Sequence, residues 1–426
     1  MSGWQHTETL GWHEPLDVAA QFAHEDIALL YSGLRESFTG AISYLCVRPI
    51  ETIEGASWHA LPPLPDVPAD GLPRWIGYLS YEMGEDVPPT APGPIALPNF
   101  RLVRYAAMWR FDHTSRVVEC FVQNDEPLTT HHAPRTTHHA PPITSLTSNL
   151  TRASYASAVA DTIARIHAGD FYQANLTRKF HGTFDTPPDS WEIFRRLTAA
   201  SPAPYSAYIR HGGTAILSAS PECFVSVDAA GSITTRPIKG SARRGDSPAE
   251  DDAIRAALAT SEKNHAENLM IVDLMRNDLA RVSTPQSVEV IEQSALYSYA
   301  TIHHLISTIR AHKRADASVY EVIRACFPPG SMTGAPKIAA MRWCAAHEGM
   351  ARGVYSGAIG WFGAGGTCDF SVTIRTLILN HDRFEFQVGG GIVADSTPED
   401  EWHETLIKAR GICRALGLSE ADLAAL

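Results

Sequence analysis

The chain has 426 residues, 44% of them hydrophobic, enough to bury a large core as two domains or as one large domain with an appendage. Charged residues make up 19%, the formal net charge is −12, and no Lys/Arg cluster supplies the basic face of a nucleic-acid binder. Seven scattered cysteines without a CxxC pair, no run of about 18 apolar residues and no basic-then-apolar start argue against a disulfide framework, a zinc site, a membrane span and a secretory leader, so a cytoplasmic protein is expected.

In chain order, a helix is expected at Ile27–Ser37, then strands at Ala41–Val47, Trp75–Tyr81, Arg101–Phe111 and Val117–Val122, separated by Pro-rich loops. Residues 125–148 break the texture. They carry a tandem TTHHAP (129–134 and 136–141) and lack apolar periodicity, which reads as a solvated linker or long loop rather than a metal site. This divides the chain into an N-terminal region (1–124), the linker (125–148) and a larger region (149–426). Tyr155–Ala168 has a helical period and a stop at Gly169. Strands follow at Phe171–Phe180, Thr214–Ser220, Phe224–Val227 and Ile233–Ile238, then an amphipathic helix at Glu267–Leu279. Helices at Val319–Ala325, Lys337–Ala346 and Glu399–Ala415 mix with strands at Ser356–Phe362, Asp369–Leu379 and Arg383–Val388. Long strands interspersed with helices, without βαβ alternation, indicate an α+β fold.

Five segments carry side chains suited to chemistry. Glu222 sits at a Ser-Pro-Glu break between two strands. Lys239 ends a strand before Gly240; such a lysine is either a solvated edge charge or, when buried or beside another cation, a nucleophile. Glu267 opens an apolar helix, where the helix dipole alone also favours an acid. Gly389–Gly391 end a strand and let backbone N–H groups approach an anion. Glu401, Glu404 and Lys408 then share one helix face, either as a surface ion pair or as a metal carboxylate beside a cation for an acidic ligand. Mg2+ takes one or two protein carboxylates plus substrate oxygens, which Glu267 and Glu404 satisfy if their helices face each other. The fifth segment, PPGSMTGAPKIAAM, is Gly-rich and precedes a helix, but it is not a Walker A loop because the GK[ST] order is missing.

Together these segments resemble the chorismate-utilising enzymes. The matching stretches are SPE (220–222), PIKGS (237–241), AENLMIVDLMRNDLARV (266–282), HHLIS (303–307), GSMTGAPK (330–337), YSGAIGW (355–361) and GGGIVADSTPEDEWHET (389–405), in the family's order. Coverage is strongest over 151–415, and WIGYLSYEMG (75–84) is similar to the N-terminal region of the amide-nitrogen-using members. The resemblance implies large mixed or antiparallel sheets packed as a sandwich with helices outside, like anthranilate synthase component I.

It also implies roles. Glu222 is the general acid for the departing ring hydroxyl, Lys239 a covalent nucleophile, and His304 a ring-proximal histidine. Gly240, Ser241, Tyr355, Arg375, Gly390, Gly391 and Lys408 match substrate-contacting places. Glu267 and Glu404, with Glu401 behind them, match the Mg2+ site. Where water-using members carry a basic lysine this chain has Gln173, which cannot act as a base. Anthranilate-forming members typically read PIAGT where this chain has PIKGS, so Lys239 resembles the aminodeoxychorismate-forming branch. Asn264 departs from the acid common three residues before the metal glutamate. No glutaminase nucleophile elbow is present, so ammonia is expected from a separate glutamine amidotransferase subunit or from solution. The N-terminal region resembles the part that holds tryptophan in relatives. The alternatives are an anthranilate synthase component I and a non-catalytic chorismate-binding scaffold.

Overall fold

The computed structural model describes residues 3–34, 41–65, 67–123, 140–299 and 302–426. Their strands join into one hydrogen-bonded network that folds into two layers. In the first layer, Tyr205–His211, Thr214–Ser220 and Thr376–Asn380 pair antiparallel. Alternate side chains point to opposite faces. Tyr208, Leu217 and Leu377 therefore enter one core, while Ile209, Ile216 and Ile378 enter another.

In the second layer, Pro73–Leu79, Ala358–Gly363 and Cys368–Val372 are also antiparallel neighbours. Ile76, Tyr78, Ile359 and Trp361 meet the inner face of the first layer, and Trp75, Leu79, Phe362 and Phe370 face away. Each large side chain so buried contributes about 1.5–3 kcal/mol. The expected sandwich is thus present. Two long paired strands, Ile42–Gly55 and Phe100–Asp112, run from one layer into the other. Along the second of these, Leu102, Tyr105 and Trp109 fall in the outer, inner and opposite outer cores in turn.

Helices cover both outer faces. Arg152–Ala168, Ser190–Ala200 and Pro398–Leu416 bury Tyr155, Phe194, Trp402 and Leu406 against the first layer. Glu262–Ala280 and Val319–Cys326 bury Ile271, Met275, Leu279 and Ile323 against the second. Local chemistry marks the helix ends. Thr151, Ser261 and Thr397 accept hydrogen bonds from backbone N–H groups in the first turn, and Gly169 and Gly417 close helices in the left-handed conformation.

Two local expectations change. Ile27–Tyr31 is a strand, not the start of a helix, and residues 35–37 of that expected helix lie outside the described residues. A short apolar run fits either state, and pairing on both edges, with Ile42–Gly55 and Tyr205–His211, decides it. Ile143–Ser148, the end of the expected linker, pairs with Gln173–Phe184. The first part of that segment, 125–139, lies outside the described residues. The N-terminal strands contribute to both layers rather than to a sheet of their own. All seven cysteines are free and buried, and no described helix is long and apolar enough to cross a membrane.

Deep between strand and helix, Arg352 donates to Glu348 twice (2.7 and 2.9 Å), to the Met332 carbonyl (2.7 Å) and to the Asn175 carbonyl (2.6 Å). Both side chains of the pair are 2% exposed. Removing one partner of such a pair leaves an uncompensated buried charge and costs about 3–5 kcal/mol. Arg352→Met is therefore expected to lower the urea unfolding free energy by that amount, and Arg352→Met with Glu348→Leu to recover most of it. A single variant as stable as the parent contradicts the assignment.

Candidate active site

The candidate residues lie on five strands and helices and, for Glu222, Tyr355 and Arg375, on the connections between elements, around the place where Gly389–Gly391 end the strand Arg383–Ile392. That strand pairs along its length with Gln173–Phe184, with Gly391 opposite Asn175. The glycines are needed for space. A Cβ at Gly390 would lie 2.5 Å from Glu401 Oε2, and one at Gly391 would lie 2.1 Å from Gln173 Nε2 and 3.4 Å from Lys239 Nζ.

Lys239 leaves the strand Ile238–Arg243 and donates from Nζ to the Ser331 carbonyl at 3.1 Å. Burial lowers its proton affinity, an effect opposed by Glu267 and reinforced by Lys408. Glu222 is buried at 4% exposure, and burial pushes its pKa up to about 7 even though the Ser331 hydroxyl and Lys239 favour the charged form. A nucleophile needs the free amine and a general acid needs the protonated carboxyl, so desolvation drives both groups toward reactive states.

His304 lies opposite Ser241 in the ladder between Ile238–Arg243 and Ile302–His312, and its Nδ1 shares a 2.6 Å hydrogen bond with the Ser241 hydroxyl. Burial, with Arg375 and His303 nearby, pushes its pKa down to about 3, so the ring is neutral at working pH. Its Nε2 is buried without a hydrogen-bond partner among the described residues. Gly240, between Lys239 and Ser241, has φ 93°, a left-handed conformation natural to glycine, and Asn264 packs against its Cα. Arg375 stands at φ 51°, an uncommon value for a residue other than glycine, and feels the field of Glu222. Tyr355 is buried, and burial pushes its hydroxyl up to about 12.

Lys408 and Glu404 form a 2.6 Å ion pair in which each side chain keeps over 40% of its surface open. Lys408 also donates to the Gly389 carbonyl at 2.8 Å. Lys408 is the main cause holding the Glu404 carboxyl below its usual range. Glu401 is buried; its Oε1 accepts from Ser396 at 2.6 Å, while its Oε2 has no partner among the described residues. Burial and the Glu404 charge raise it to about 7, and burial also raises Glu267. Among the described residues, no three His, Cys, Asp or Glu side chains are gathered as a ready metal cage. The expected trio of glutamates is instead interleaved with cations: Glu267 is influenced by Lys239 and Lys263, and Glu404 by Lys408.

Sequence reading missed three participants. Ser331 touches the lysine and lies inside a segment read only as Gly-rich. Lys263, one helical turn before Glu267, influences all three glutamates, and its i,i+4 spacing was the available signal. Gln173, weighed only as a non-base, has both polar side-chain atoms buried and unpartnered among the described residues. Such groups cost free energy unless a ligand satisfies them.

A buried acid, a lysine whose proton affinity burial lowers, glycines that leave open space and nearby cations suit the binding of a small carboxylated ligand. The chain belongs to the chorismate binding enzyme family, which it matches over residues 24–414. It is 39% identical over 372 residues to aminodeoxychorismate synthase component 1 of Salmonella typhimurium, covering 85% of this chain and 80% of that protein. It is 34% identical over 389 residues to anthranilate synthase component 1 of Streptomyces coelicolor, covering 83% and 75%. The crystal structure of anthranilate synthase component I from Streptococcus pneumoniae matches with a TM-score of 0.76 at 26% identity, over 89% of this chain and 93% of that one.

The glycine contacts make a direct test. Gly391→Ala is expected to cut turnover by about 100-fold through displacement of Gln173 and crowding of Lys239, with little change in Tm, as expected for a misplacement near the reacting groups. Adding Gln173→Ala should remove the clash with the new methyl but not restore full rate. An active Gly391→Ala enzyme would show that this space is not used by substrate.

Proposed function

We propose that the protein is the chorismate-aminating component of an aminodeoxychorismate synthase, forming 4-amino-4-deoxychorismate on the way to para-aminobenzoate in the cytoplasm. The observation that carries this reading is Lys239 itself. Its Nζ lies 3.4 Å from the place a Gly391 Cβ would occupy and within the field of buried Glu222, where burial lowers its proton affinity. The similarity to aminodeoxychorismate synthase component 1 over most of both chains supports it.

In this reading Glu222 protonates the departing ring hydroxyl, which leaves as water as its C–O bond breaks. The unprotonated Lys239 amine forms a C–N bond to the ring in the same displacement and passes its extra proton to the Glu222 carboxylate. Ammonia next forms the C–N bond at the carbon that lost oxygen while Glu222 returns that proton to the lysine nitrogen, the lysine C–N bond breaks with release of the free amine, and the new ammonium nitrogen gives up its extra proton to Glu222. Splitting one hard displacement into two is the advantage of covalent catalysis. Arg375 and Lys408 neutralise substrate carboxylates, and Arg375 can do so bidentately. Ser241 holds His304 so that its unpartnered Nε2 faces a ligand.

The unsatisfied Glu401 Oε2 and the carboxylates of Glu267 and Glu404 suit a hard cation. Mg2+ held by Glu267 and Glu404, with Glu401 behind them, would supply charge for a substrate carboxylate. The ammonia is assigned to a separate glutamine amidotransferase subunit.

Incubation with chorismate, Mg2+ and ammonium should yield aminodeoxychorismate with little anthranilate by chromatography. Anthranilate as the sole product sinks the assignment in favour of the anthranilate synthase alternative, and absence of turnover favours a binding scaffold. Lys239→Ala should lose most aminodeoxychorismate formation, by about 10²–10⁴-fold, and a variant that keeps full activity rules out the covalent role. Because the acid must be protonated, kcat should fall as pH rises through about 7. Glu222→Gln should abolish turnover across the pH range.

A further inference from the structure

Ser331 lies at the start of the short turn Gly330–Thr333, 5% exposed and far in sequence from both reactive groups. Its backbone carbonyl accepts the hydrogen bond from Lys239 Nζ at 3.1 Å. Its hydroxyl and the Ile238 backbone N–H lie in the surroundings of the Glu222 carboxyl and favour its charged form. Ile238 immediately precedes Lys239. One buried residue thus holds the lysine with its main chain and carries a hydroxyl beside the acid. The turn is not free to drift. Arg352 holds the carbonyl of the next residue, Met332, at 2.7 Å, and Thr333 closes the turn onto the Gly330 carbonyl at 3.2 Å.

We propose that Ser331 is a positioning residue that sets the mutual placement of Glu222 and Lys239, so that proton donation to the leaving oxygen and attack by the amine occur in one geometry. The proposal rests on the aminodeoxychorismate reading of the site. Ser331 touches neither the ring nor the leaving group; it acts through the two groups that do. The other charged groups that influence Glu222 are Lys239, Lys408 and Arg375, and replacement of the Ser331 side chain leaves all three in place.

The separation of side chain from main chain makes the role measurable. Ser331→Ala removes the hydroxyl beside Glu222 but keeps the carbonyl that holds Lys239. The hydroxyl favours the charged carboxylate, so its loss moves the alkaline limb of the kcat profile to higher pH. At the same time kcat at neutral pH should fall about 10- to 100-fold, because the acid is no longer aimed, while KM for chorismate stays within about threefold. A loss caused by general loosening would lower kcat and raise KM together and leave the limb in place. Ser331→Cys, similar in size with a weak donor, should behave like the alanine variant, and it carries the test if Ser331→Ala folds poorly.

The assay uses the full chain with chorismate, Mg2+ and ammonium, and follows aminodeoxychorismate. If the parent enzyme forms a different product, the functional reading fails. If the parent forms aminodeoxychorismate but both variants keep its kcat and its alkaline limb, the positioning role fails and the functional reading stands.

Discussion

The ion pair between Arg352 and Glu348 is the constraint on which the site depends. Both members are removed from water, and that loss is tolerable only because nearly every polar atom is satisfied. The guanidinium binds the Glu348 carboxylate and the carbonyls of Met332 and Asn175, while Glu348 also accepts from the Thr177 N–H at 3.0 Å. Glu82, from the N-terminal region, accepts from the backbone N–H groups of Arg352 and Gly353. Segments separated by over two hundred residues are thereby fixed at one point. From it run the turn bearing Ser331 and the strand bearing Gln173, and these two bound the space in front of Gly391.

The electrostatics of the site follow from burial acting on both signs at once. Desolvation raises Glu222, Glu267 and Glu401 and lowers Lys239 and Arg375. Neighbouring opposite charges oppose these shifts without cancelling them. Glu222 and Glu401 are thereby brought to about 7, where a carboxyl gives up a proton at little cost. Glu404 and Lys408 differ: they remain open and paired, as groups that exchange partners with an arriving ligand should.

Much of this was legible in sequence, for identifiable reasons. Long strands such as Phe100–Asp112 carry apolar runs because much of both faces is buried, and capped helices such as Pro398–Leu416 announce their ends with Thr397 and Gly417. Ile27–Tyr31 was misread because five apolar residues have no period long enough to separate helix from strand. Ile143–Ser148 was missed because its side chains are largely exposed and polar; its place in the sheet comes from backbone pairing, which side-chain pattern does not encode.

The sequence by itself determined the family, the two-layer α+β architecture and the identities of Glu222, Lys239, Glu267, Glu404 and Lys408, because residue type and local order suffice for these. Only the tertiary structure shows that the Ser331 carbonyl holds Lys239 and that Lys263 acts on all three glutamates. It also shows Lys239 and Lys408 acting on Glu267 and Glu404. Those properties arise from distances between segments far apart in the chain and from the water excluded between them. Proton affinity and packing are set by that three-dimensional neighbourhood, not by position in the sequence.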